Sequence, residues 1–254
     1  MLIMLTNDDG ILAPGLQSLQ AELEKFAEVV VIAPEKEQSA VSHSITVHKP
    51  LRVQKIGTRM YAANGTPADC VKLALEDLMD RRPDLIISGI NRGANLGTDV
   101  LYSGTVSAAM EGVINGIPSL AVSLASDNAE EFTFAAETTA KITRFLYEKG
   151  FLNNAIVLNV NIPYIPPHEI KGVAFTSLGL RRYVNPIHRR VDPRGRTYYW
   201  LAGEVCEEGS QPGSDVRAIA AGKISITPLQ LDLTDYNSLK NMQGWSSLLE
   251  KCII

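Results

Sequence analysis

Short apolar runs alternate with segments of helical periodicity over the first two thirds of the chain. Residues 2–6 and 28–33 are almost entirely apolar, which is typical of strands buried on both faces of a parallel sheet. Between them, residues 14–26 carry leucines at helical spacing, and Pro14 suits a first helical turn. The alternation continues with predicted strands at 84–89, 119–125 and 155–162 and predicted helices at 66–79, 105–115 and 130–149. This pattern predicts an α/β fold built on a doubly wound, mostly parallel sheet.

The last third of the chain has a different pattern. Two runs rich in strand-forming residues, at 183–191 and 196–201, flank the turn signal Asp-Pro-Arg-Gly at 192–195, so we predict a long β-hairpin arm. A short helix at 215–221, a strand at 224–232 and a terminal helix at 236–250 follow. We therefore divide the single expected domain into an α/β core, residues 1–165, and a β-rich C-terminal extension, residues 166–254.

Composition narrows the class of protein. The 254 residues are 45% hydrophobic, which is enough for a large buried core. The net charge of −4 argues against binding to a nucleic-acid duplex, because such proteins usually carry a basic face. No run approaches the ~18 apolar residues of a membrane span, and no basic segment precedes the short apolar start, so we expect neither membrane contact nor secretion.

The cysteines point to the expected compartment. Cys70, Cys206 and Cys252 are odd in number and far apart in sequence. They form neither a disulfide framework nor a metal-binding pair, and they are typical of free thiols in a reducing compartment. We therefore expect a cytoplasmic protein.

The first candidate for chemistry is the tetrapeptide Asn-Asp-Asp-Gly at 7–10, directly after the first predicted strand. Ligands of open α/β sheets bind beyond the carboxyl ends of the strands. Asp8 and Asp9 would repel each other in a dry cleft unless a positive charge offset them, and Mg²⁺ commonly binds one or two carboxylates together with substrate phosphate. The same residues also fit an Asx turn or a helix N-cap, and the tetrapeptide alone leaves both interpretations open.

A loop rich in glycine and asparagine, residues 88–97, follows the strand predicted at 84–89, and Ser103-Gly104-Thr105 then begins a helix. Glycines let backbone N–H groups approach an anion, and a helix N-terminus adds unpaired donors and a positive dipole. An N-capped helix packed through small residues would explain the helix start, but it would not explain the composition of the loop. We therefore predict a phosphate site whose contacts come from Asn91, Ser103, Gly104 and Thr105.

Other motifs change this picture little. The chain has no G-x-G-x-x-G after its first strand, no P-loop, no G-x-S-x-G elbow and no H-E-x-x-H. Six arginines surround the predicted hairpin: Arg181, Arg182, Arg189, Arg190, Arg194 and Arg196. They would suit an acidic partner such as polyphosphate, although a solvated or subunit-contacting arm is the commoner explanation.

Several ordered motifs make the chain resemble the SurE family of survival-protein nucleotidases. The matching segments are LTNDDG at 5–10, QSAVS at 38–42, SIT at 44–46, NGTPADCV at 64–71, the loop at 88–97, DVLYSGTV at 99–106, GSD at 213–215 and SITPL at 225–229. They are spread over nearly the whole chain. One departure is Ala40, which stands where family members often have glycine.

This resemblance implies a function and a site. The implied metal ligands are Asp8, Asp9, Ser39 and Asn95, with Mg²⁺ or Mn²⁺ as the metal and one ion per subunit. Asp8, Asp9 and Asn95 are implied to be catalytic, and the implied reaction releases phosphate from nucleoside 5′- and 3′-monophosphates. A Rossmann-like core is implied, together with a homodimer or homotetramer whose subunits exchange the hairpin and the terminal helix.

Two other functions fit the same residues. A nucleotide-sugar or phosphosugar transferase also uses an acidic pair with a metal beside such a sheet, and a nucleotide-binding regulator would bind a phosphorylated ligand without hydrolysing it. Release of inorganic phosphate from AMP or GMP without an acceptor separates these alternatives. The residues leave open whether a carboxylate or a metal-bound water attacks phosphorus.

Overall fold

The structure, a computed structural model, describes residues 1–206 and 210–253. The elements of the core are β1 Leu2–Thr6, α1 Pro14–Leu23, β2 Glu28–Pro34, β3 Val53–Gly57, β4 Met60–Ala63, α2 Pro67–Leu73, β5 Leu85–Arg92, α3 Gly104–Ile114, β6 Ser119–Ala125, α4 Thr133–Glu148 and β7 Val157–Pro163. Those of the extension are β8 Val173–Phe175, β9 Arg182–Val184, β10 Ile187–Val191, β11 Thr197–Leu201, β12 Glu204–Cys206, α5 Asp215–Ala220, β13 Ile224–Leu229, α6 Tyr236–Met242 and α7 Ser246–Ile253.

Nine strands form one sheet in the order β3-β4-β2-β1-β5-β6-β7-β13-β8. The strands from β4 to β7 in this order run parallel to one another. The chain places β2 on one side of β1 and β5 on the other, so the direction of the crossovers reverses between β1 and β5. In a doubly wound sheet this reversal opens a crevice at the carboxyl ends of the two strands. The predicted doubly wound, mostly parallel α/β sheet is confirmed.

Helices cover both faces of this sheet. α1 and α4 pack on one face, where Leu16, Leu19 and Leu23 of α1 join the apolar cluster. α2 and α3 cover the other face, where Cys70 and Ala108 belong to a second cluster. Both faces of β1 therefore meet helices, which explains why all of its residues are buried without alternation.

The C-terminal extension completes the same sheet. β13 pairs antiparallel with β7, and β8 lies parallel to β13 at the edge. The boundary drawn between residues 165 and 166 therefore lies inside one packed unit. At the opposite edge, β3 and β4 form a hairpin that the sequence analysis missed, because the mostly exposed residues of β3 carry no clear apolar alternation.

Two predicted helices differ from those of the structure. The helix predicted at 66–79 is α2 only as far as Leu73, and a π-helical turn follows over Ala74–Leu78. The helix predicted at 236–250 is divided into α6 and α7 by a 3₁₀ turn at Gln243–Trp245. Gly244 lies in this turn, and glycine destabilises a helix interior by about 1 kcal/mol relative to alanine. Among the helices that the structure describes, none has the length and apolar character needed to cross a membrane.

The predicted hairpin is confirmed as β10 and β11, which pair antiparallel from Ile187 opposite Leu201 to Val191 opposite Thr197. A shorter pair, β9 and β12, forms its root, and we call residues 182–206 the arm. Every residue of β10 and β11 is exposed. The region of α6 and α7 also exposes large apolar side chains, among them Leu239, Met242, Trp245, Leu248 and Leu249.

Candidate active site

The crevice between β1 and β5 holds the predicted site. Asp8 and Asp9 follow β1, while Asn91 lies near the end of β5 and Asn95 lies in the loop after it. A cavity of about 360 Å³ opens here, and its walls include Asp8, Ser39, Asn91, Asn95 and Ser103. Asp9 lines an adjoining cavity that also contains Ser39. The fold therefore brings the four predicted metal ligands to one edge of the sheet from three separate segments.

Asp8 is held against the N-terminus of α3. The backbone N–H of Thr105 donates to Asp8 Oδ2 at 3.0 Å, and Thr105 Oγ1 donates to Asp8 Oδ1 at 2.5 Å. A Cβ at Gly104 would lie 2.9 Å from the Asp8 carboxylate, so this approach requires glycine. Asp8 is only 5% exposed. Burial raises the pKa of Asp8 to about 6, although the hydrogen bond from Thr105 lowers it and the charge of Asp9 adds to the rise.

Asp9 is less buried than Asp8 and faces the adjoining cavity. The backbone N–H of Arg92 donates to Asp9 Oδ2 at 3.0 Å. Burial raises the pKa of Asp9, the hydrogen bond from Arg92 lowers it, and the negative charge of Glu37 raises it again. Two neighbouring carboxylates thus carry an electrostatic cost for being ionised together, and a divalent cation between them would remove that cost.

Ser39 lies on the loop that follows β2 and lines both cavities. Its Oγ donates to Glu37 Oε1 at 2.6 Å. The next residue, Ala40, has a φ of 55°, in the left-handed region that glycine adopts without a steric penalty. The backbone therefore explains why glycine would suit this position, where the chain departs from the family pattern.

Asn95 is held by three side chains from neighbouring strands. Its Nδ2 donates to Ser123 Oγ at 2.8 Å, and its backbone N–H donates to Asn161 Oδ1 at 2.9 Å. Asn159 and Asn161 each donate from Nδ2 to the carbonyl oxygen of Asn95, at 2.8 and 3.0 Å. These contacts fix the backbone and the amide orientation of Asn95, so that Oδ1 is the side-chain atom left for a ligand.

The sequence analysis missed Asn159, Asn161 and Ser123, all of which are fully buried. A signal was present, because Asn-Val-Asn interrupts the apolar strand predicted at 155–162 with two polar residues on one face. Buried polar side chains are nearly always hydrogen-bonded, so such a pair indicates a specific partner. In the sheet Asn161 lies opposite Ser123, which brings both to Asn95.

The predicted phosphate contacts lie at the start of α3 and in the loop before it. Ser103 accepts the N–H of Val106 at 3.1 Å, as an N-cap, and also lines the cavity. Asn91 donates from Nδ2 to the Gly93 carbonyl oxygen at 2.9 Å. Thr105 is fully buried with both donors directed to Asp8, so in this structure it positions Asp8. The phosphate contacts, including that of Gly104, stay predictions.

The extension reaches the site through Asp215, which is fully buried at the start of α5. Its Oδ2 accepts the N–H of Gly97 at 2.8 Å, and its Oδ1 accepts the N–H of Gly179 at 2.7 Å. A Cβ at Gly97 would lie 2.6 Å from the Gly179 carbonyl oxygen, so the two segments touch only because this residue is glycine. The loop that carries Asn95 is therefore also held from the extension.

The donor set fits a hard divalent cation. Among the residues that the structure describes, no group of three His, Cys, Asp or Glu side chains is placed to hold a metal. The set at the crevice consists instead of two carboxylates, one hydroxyl and one amide oxygen. Oxygen donors of this kind suit Mg²⁺ and Mn²⁺, and burial raises the pKa of each aspartate although hydrogen bonds from Thr105 and Arg92 oppose the rise, so a cation would favour the ionised carboxylates.

Fold and site together define a class of protein. It is a doubly wound α/β protein with an acidic, oxygen-lined cleft where the strand order reverses. Comparison with known proteins narrows the class: the family model described as "Survival protein SurE" matches residues 3–185. The chain belongs to the SurE family, so the resemblance drawn from the motifs is confirmed.

Relatives match almost the whole chain. A protein named 5′-nucleotidase SurE from Moorella thermoacetica is 55% identical over 254 residues, which cover 98% of this chain and 97% of that protein. A protein of the same name from Heliobacterium modesticaldum is 52% identical over 250 residues, which cover 96% and 92%. The crystal structure of the SurE protein from Aquifex aeolicus matches with a TM-score of 0.85 and 41% sequence identity, covering 98% of this chain and 100% of that one.

Proposed function

We propose that this protein is a metal-dependent phosphatase that releases inorganic phosphate from nucleoside 5′-monophosphates and from nucleoside 3′-monophosphates. The name 5′-nucleotidase, carried by its relatives, supports the substrate class. The observation that carries the proposal is the oxygen-lined crevice in which Asp8, fixed by Thr105 at the N-terminus of α3, lies beside Asp9. Such a crevice accepts phosphate only if positive charge offsets the carboxylates, which supports metal dependence.

The metal would be held by Asp8, Asp9, Ser39 and Asn95, as one Mg²⁺ or Mn²⁺ per subunit. When bound, it supplies Lewis-acid polarisation of a phosphoryl oxygen and offsets the charge that develops as the ester bond breaks. Asp8 and Asn95 are each held by hydrogen bonds from neighbouring segments, which supports a site whose two most buried donors are oriented before substrate arrives.

The chain itself orients the reacting groups. Thr105 holds both oxygens of Asp8, and Asn161 holds the backbone of Asn95. The N–H groups of Thr105 and Val106 are bonded to Asp8 and Ser103, so the N-terminus of α3 would favour an anion beside Ser103 mainly through its helix dipole. Arg92 lines both cavities and adds a positive charge near a bound phosphate. In this proposal catalysis comes from positioning and electrostatic stabilisation.

Phosphate release by the purified protein tests the proposal. AMP, GMP, UMP and adenosine 3′-monophosphate are incubated with the chelated protein and again after Mg²⁺ or Mn²⁺ is restored. We expect release from each substrate only with metal, and without any acceptor. Dependence on an acceptor would favour a transferase, and binding without release would favour a regulator. Full activity in excess EDTA after verified metal removal would contradict the metal dependence.

We also propose that the protein forms a homodimer or homotetramer through the arm and the terminal helices. The arm exposes the consecutive residues Tyr198, Tyr199 and Trp200 on β11, with Tyr198 and Trp200 on one face of the hairpin and Tyr199 on the other, and exposed apolar surface of this kind marks interaction surfaces. Partner contacts would cover them. The arginines of the arm leave polyphosphate as an additional ligand. The cytoplasm remains the expected compartment, since the cysteines at 70, 206 and 252 are free.

Sedimentation velocity at micromolar concentration tests the assembly. Replacing residues 186–202 with a short turn should give a smaller species, because the exposed strands of the arm are lost. Arg189→Gln with Arg190→Gln is the matched control, since it changes charge on the arm but leaves its aromatic residues in place. A monodisperse monomer for the intact chain would contradict the proposal.

A further inference from the structure

Besides the metal and phosphate residues, two tyrosines line the cavity: Tyr102 and Tyr183. Both side chains are open to solvent, Tyr102 being 63% exposed and Tyr183 45% exposed. Tyr102 directly precedes Ser103, and Tyr183 lies in β9 at the root of the arm. Aromatic rings left open in the wall of a cavity offer a large apolar surface to a ligand.

Tyr183 is fixed to the core by its hydroxyl. Its OH donates to Asp99 Oδ2 at 3.0 Å, and Nη1 of Arg181 donates to the same oxygen at 2.5 Å. Thr98 Oγ1 donates to the Arg181 carbonyl oxygen at 2.5 Å, which ties the same segment to the turn at Gly97–Leu101. Burial, followed by the hydrogen bond to Asp99, raises the pKa of Tyr183, so its phenol stays a donor at neutral pH.

Tyr102 is fixed through its backbone. Its N–H donates to the Asp99 carbonyl oxygen at 2.9 Å, and its carbonyl oxygen accepts the N–H of Ser42 at 3.0 Å. Ser42 Oγ also donates to the Leu101 carbonyl oxygen at 2.7 Å. The backbone that carries this ring is therefore anchored to the same loop that carries Ser39.

The part of the cavity wall formed by these tyrosines differs in charge from the part formed by the aspartates. Asp99 is paired with Arg181, and both side chains are only 14% exposed, so the ion pair presents little charge to the cavity. The wall therefore combines an uncharged, aromatic region with the acidic, oxygen-lined region at Asp8. A nucleoside monophosphate has the matching division, with charge on the phosphate and a flat uncharged base at its other end.

We propose that Tyr102 and Tyr183 form the nucleoside-binding surface of this site, on which the base stacks while the phosphate lies at the start of α3. The inference rests on the proposed function and names the residues that set its substrate class. Base–aromatic stacking tolerates every base, because each base has a π face. The surface therefore favours nucleotides over small phosphate esters and discriminates weakly among bases.

Kinetics with two kinds of substrate test this inference. AMP carries a base, whereas ribose 5-phosphate offers the same phosphate without one. For Tyr102→Leu and Tyr183→Leu we expect the KM for AMP to rise on the order of 10- to 100-fold, with little change in kcat/KM for ribose 5-phosphate. Tyr183→Phe keeps the ring but loses its hydrogen bond to Asp99, so the KM for AMP should rise less than in Tyr183→Leu.

Calorimetric titration with adenosine separates this inference from the proposed function. Adenosine has no phosphate, so its binding reports the nucleoside surface alone, and the leucine variants should bind it more weakly by a similar factor. A wild-type protein that hydrolyses neither ester would refute the proposed function, while the titration would still decide the inference. Tyr147→Leu, an exposed tyrosine on α4 that lines no part of this cavity, serves as the control. Equal losses with AMP and ribose 5-phosphate, or unchanged adenosine binding, would overturn the inference.

Discussion

The side-chain amide of Asn161 makes two hydrogen bonds to the backbone of Asn95. Its Oδ1 accepts the Asn95 N–H at 2.9 Å, and its Nδ2 donates to the Asn95 carbonyl oxygen at 3.0 Å. Asn161 is fully buried, so water has no ready access to replace either bond. Asn95, a proposed metal ligand, is thus oriented by Asn161 of β7. Residues that hydrogen-bond to metal ligands commonly have this role.

Asn161→Asp should therefore weaken metal binding. The aspartate keeps the shape and still accepts from Asn95, but it cannot donate and it brings a negative charge against the Asn95 carbonyl oxygen. We expect the affinity for Mn²⁺, measured by calorimetry or electron paramagnetic resonance, to fall about 10- to 100-fold. Asn154→Asp makes the same change at an exposed position and should have no effect. Wild-type affinity in the Asn161 variant would contradict this role.

Asp8→Asn should abolish activity without unfolding the protein. An asparagine can keep both contacts with Thr105, because its Oδ1 accepts the backbone N–H and its Nδ2 donates to Oγ1. The variant loses a buried negative charge, so the chelated protein should melt no lower than the wild type. Phosphate release and Mn²⁺ binding should both collapse, as they should in Asp9→Asn. If Asp8→Asn bound Mn²⁺ like the wild type, Asp8 would not be a ligand.

Glu111 on α3 is a buried carboxylate outside the site, with a side chain only 5% exposed. His43 Nε2 lies 2.9 Å from Oε2 and Lys72 Nζ lies 3.0 Å from Oε1. The hydrogen bond with His43, and then that with Lys72, lower the pKa of Glu111 to about 2 against an ordinary 4.5. A carboxyl group with a lowered folded-state pKa stabilises the fold above its unfolded pKa, and this contribution is lost as the pH falls from about 4.5 towards 2.

Glu111→Gln should lower the free energy of unfolding at pH 7 by about 1–3 kcal/mol, because it weakens hydrogen bonds to a charged acceptor. The difference from the wild type should shrink as the pH falls below about 4.5, since the wild type then loses the same contribution. Urea denaturation at several pH values measures both effects. Glu148→Gln, at an exposed position, should change little. A difference that stays constant down to acid pH would show that the charge of Glu111 is not responsible.

Ala40→Gly should stabilise the protein. Ala40 has a φ of 55°, and the left-handed conformation costs a non-glycine residue about 1–2 kcal/mol. Glycine removes that strain, but its greater conformational freedom in the unfolded state lowers stability by about 0.4–1 kcal/mol. The net increase in the free energy of unfolding should therefore be roughly 0.5–1 kcal/mol. Ala21→Gly makes the same change at an exposed position inside helix α1 and should destabilise. Urea denaturation of both variants checks the opposite signs, and destabilisation by Ala40→Gly would show that the strain is absent.

The strands of the core and the acidic pair Asp8 and Asp9 can be predicted from the local sequence pattern. The mostly apolar run at 119–125 predicts β6 with its observed bounds, because a parallel strand covered on both faces consists largely of apolar residues without alternation. Asp8 and Asp9 are predicted as site residues for a related reason. The end of a predicted strand marks the edge of the sheet at which α/β proteins bind ligands.

The hydrogen-bond partners of the site residues cannot be predicted from the local sequence pattern. The bond between Asn161 and Asn95 joins residues 66 positions apart, and that between Tyr183 and Asp99 joins residues 84 positions apart. The sequence by itself determined the alternation of elements, the exposed hairpin and the position of the acidic pair after β1. Only the tertiary structure decided that Thr105 gives its donors to Asp8 and that Tyr183 reaches the cavity. The reason is physical: strand order and helix packing choose which distant segments meet, and no periodicity of a single segment records that choice.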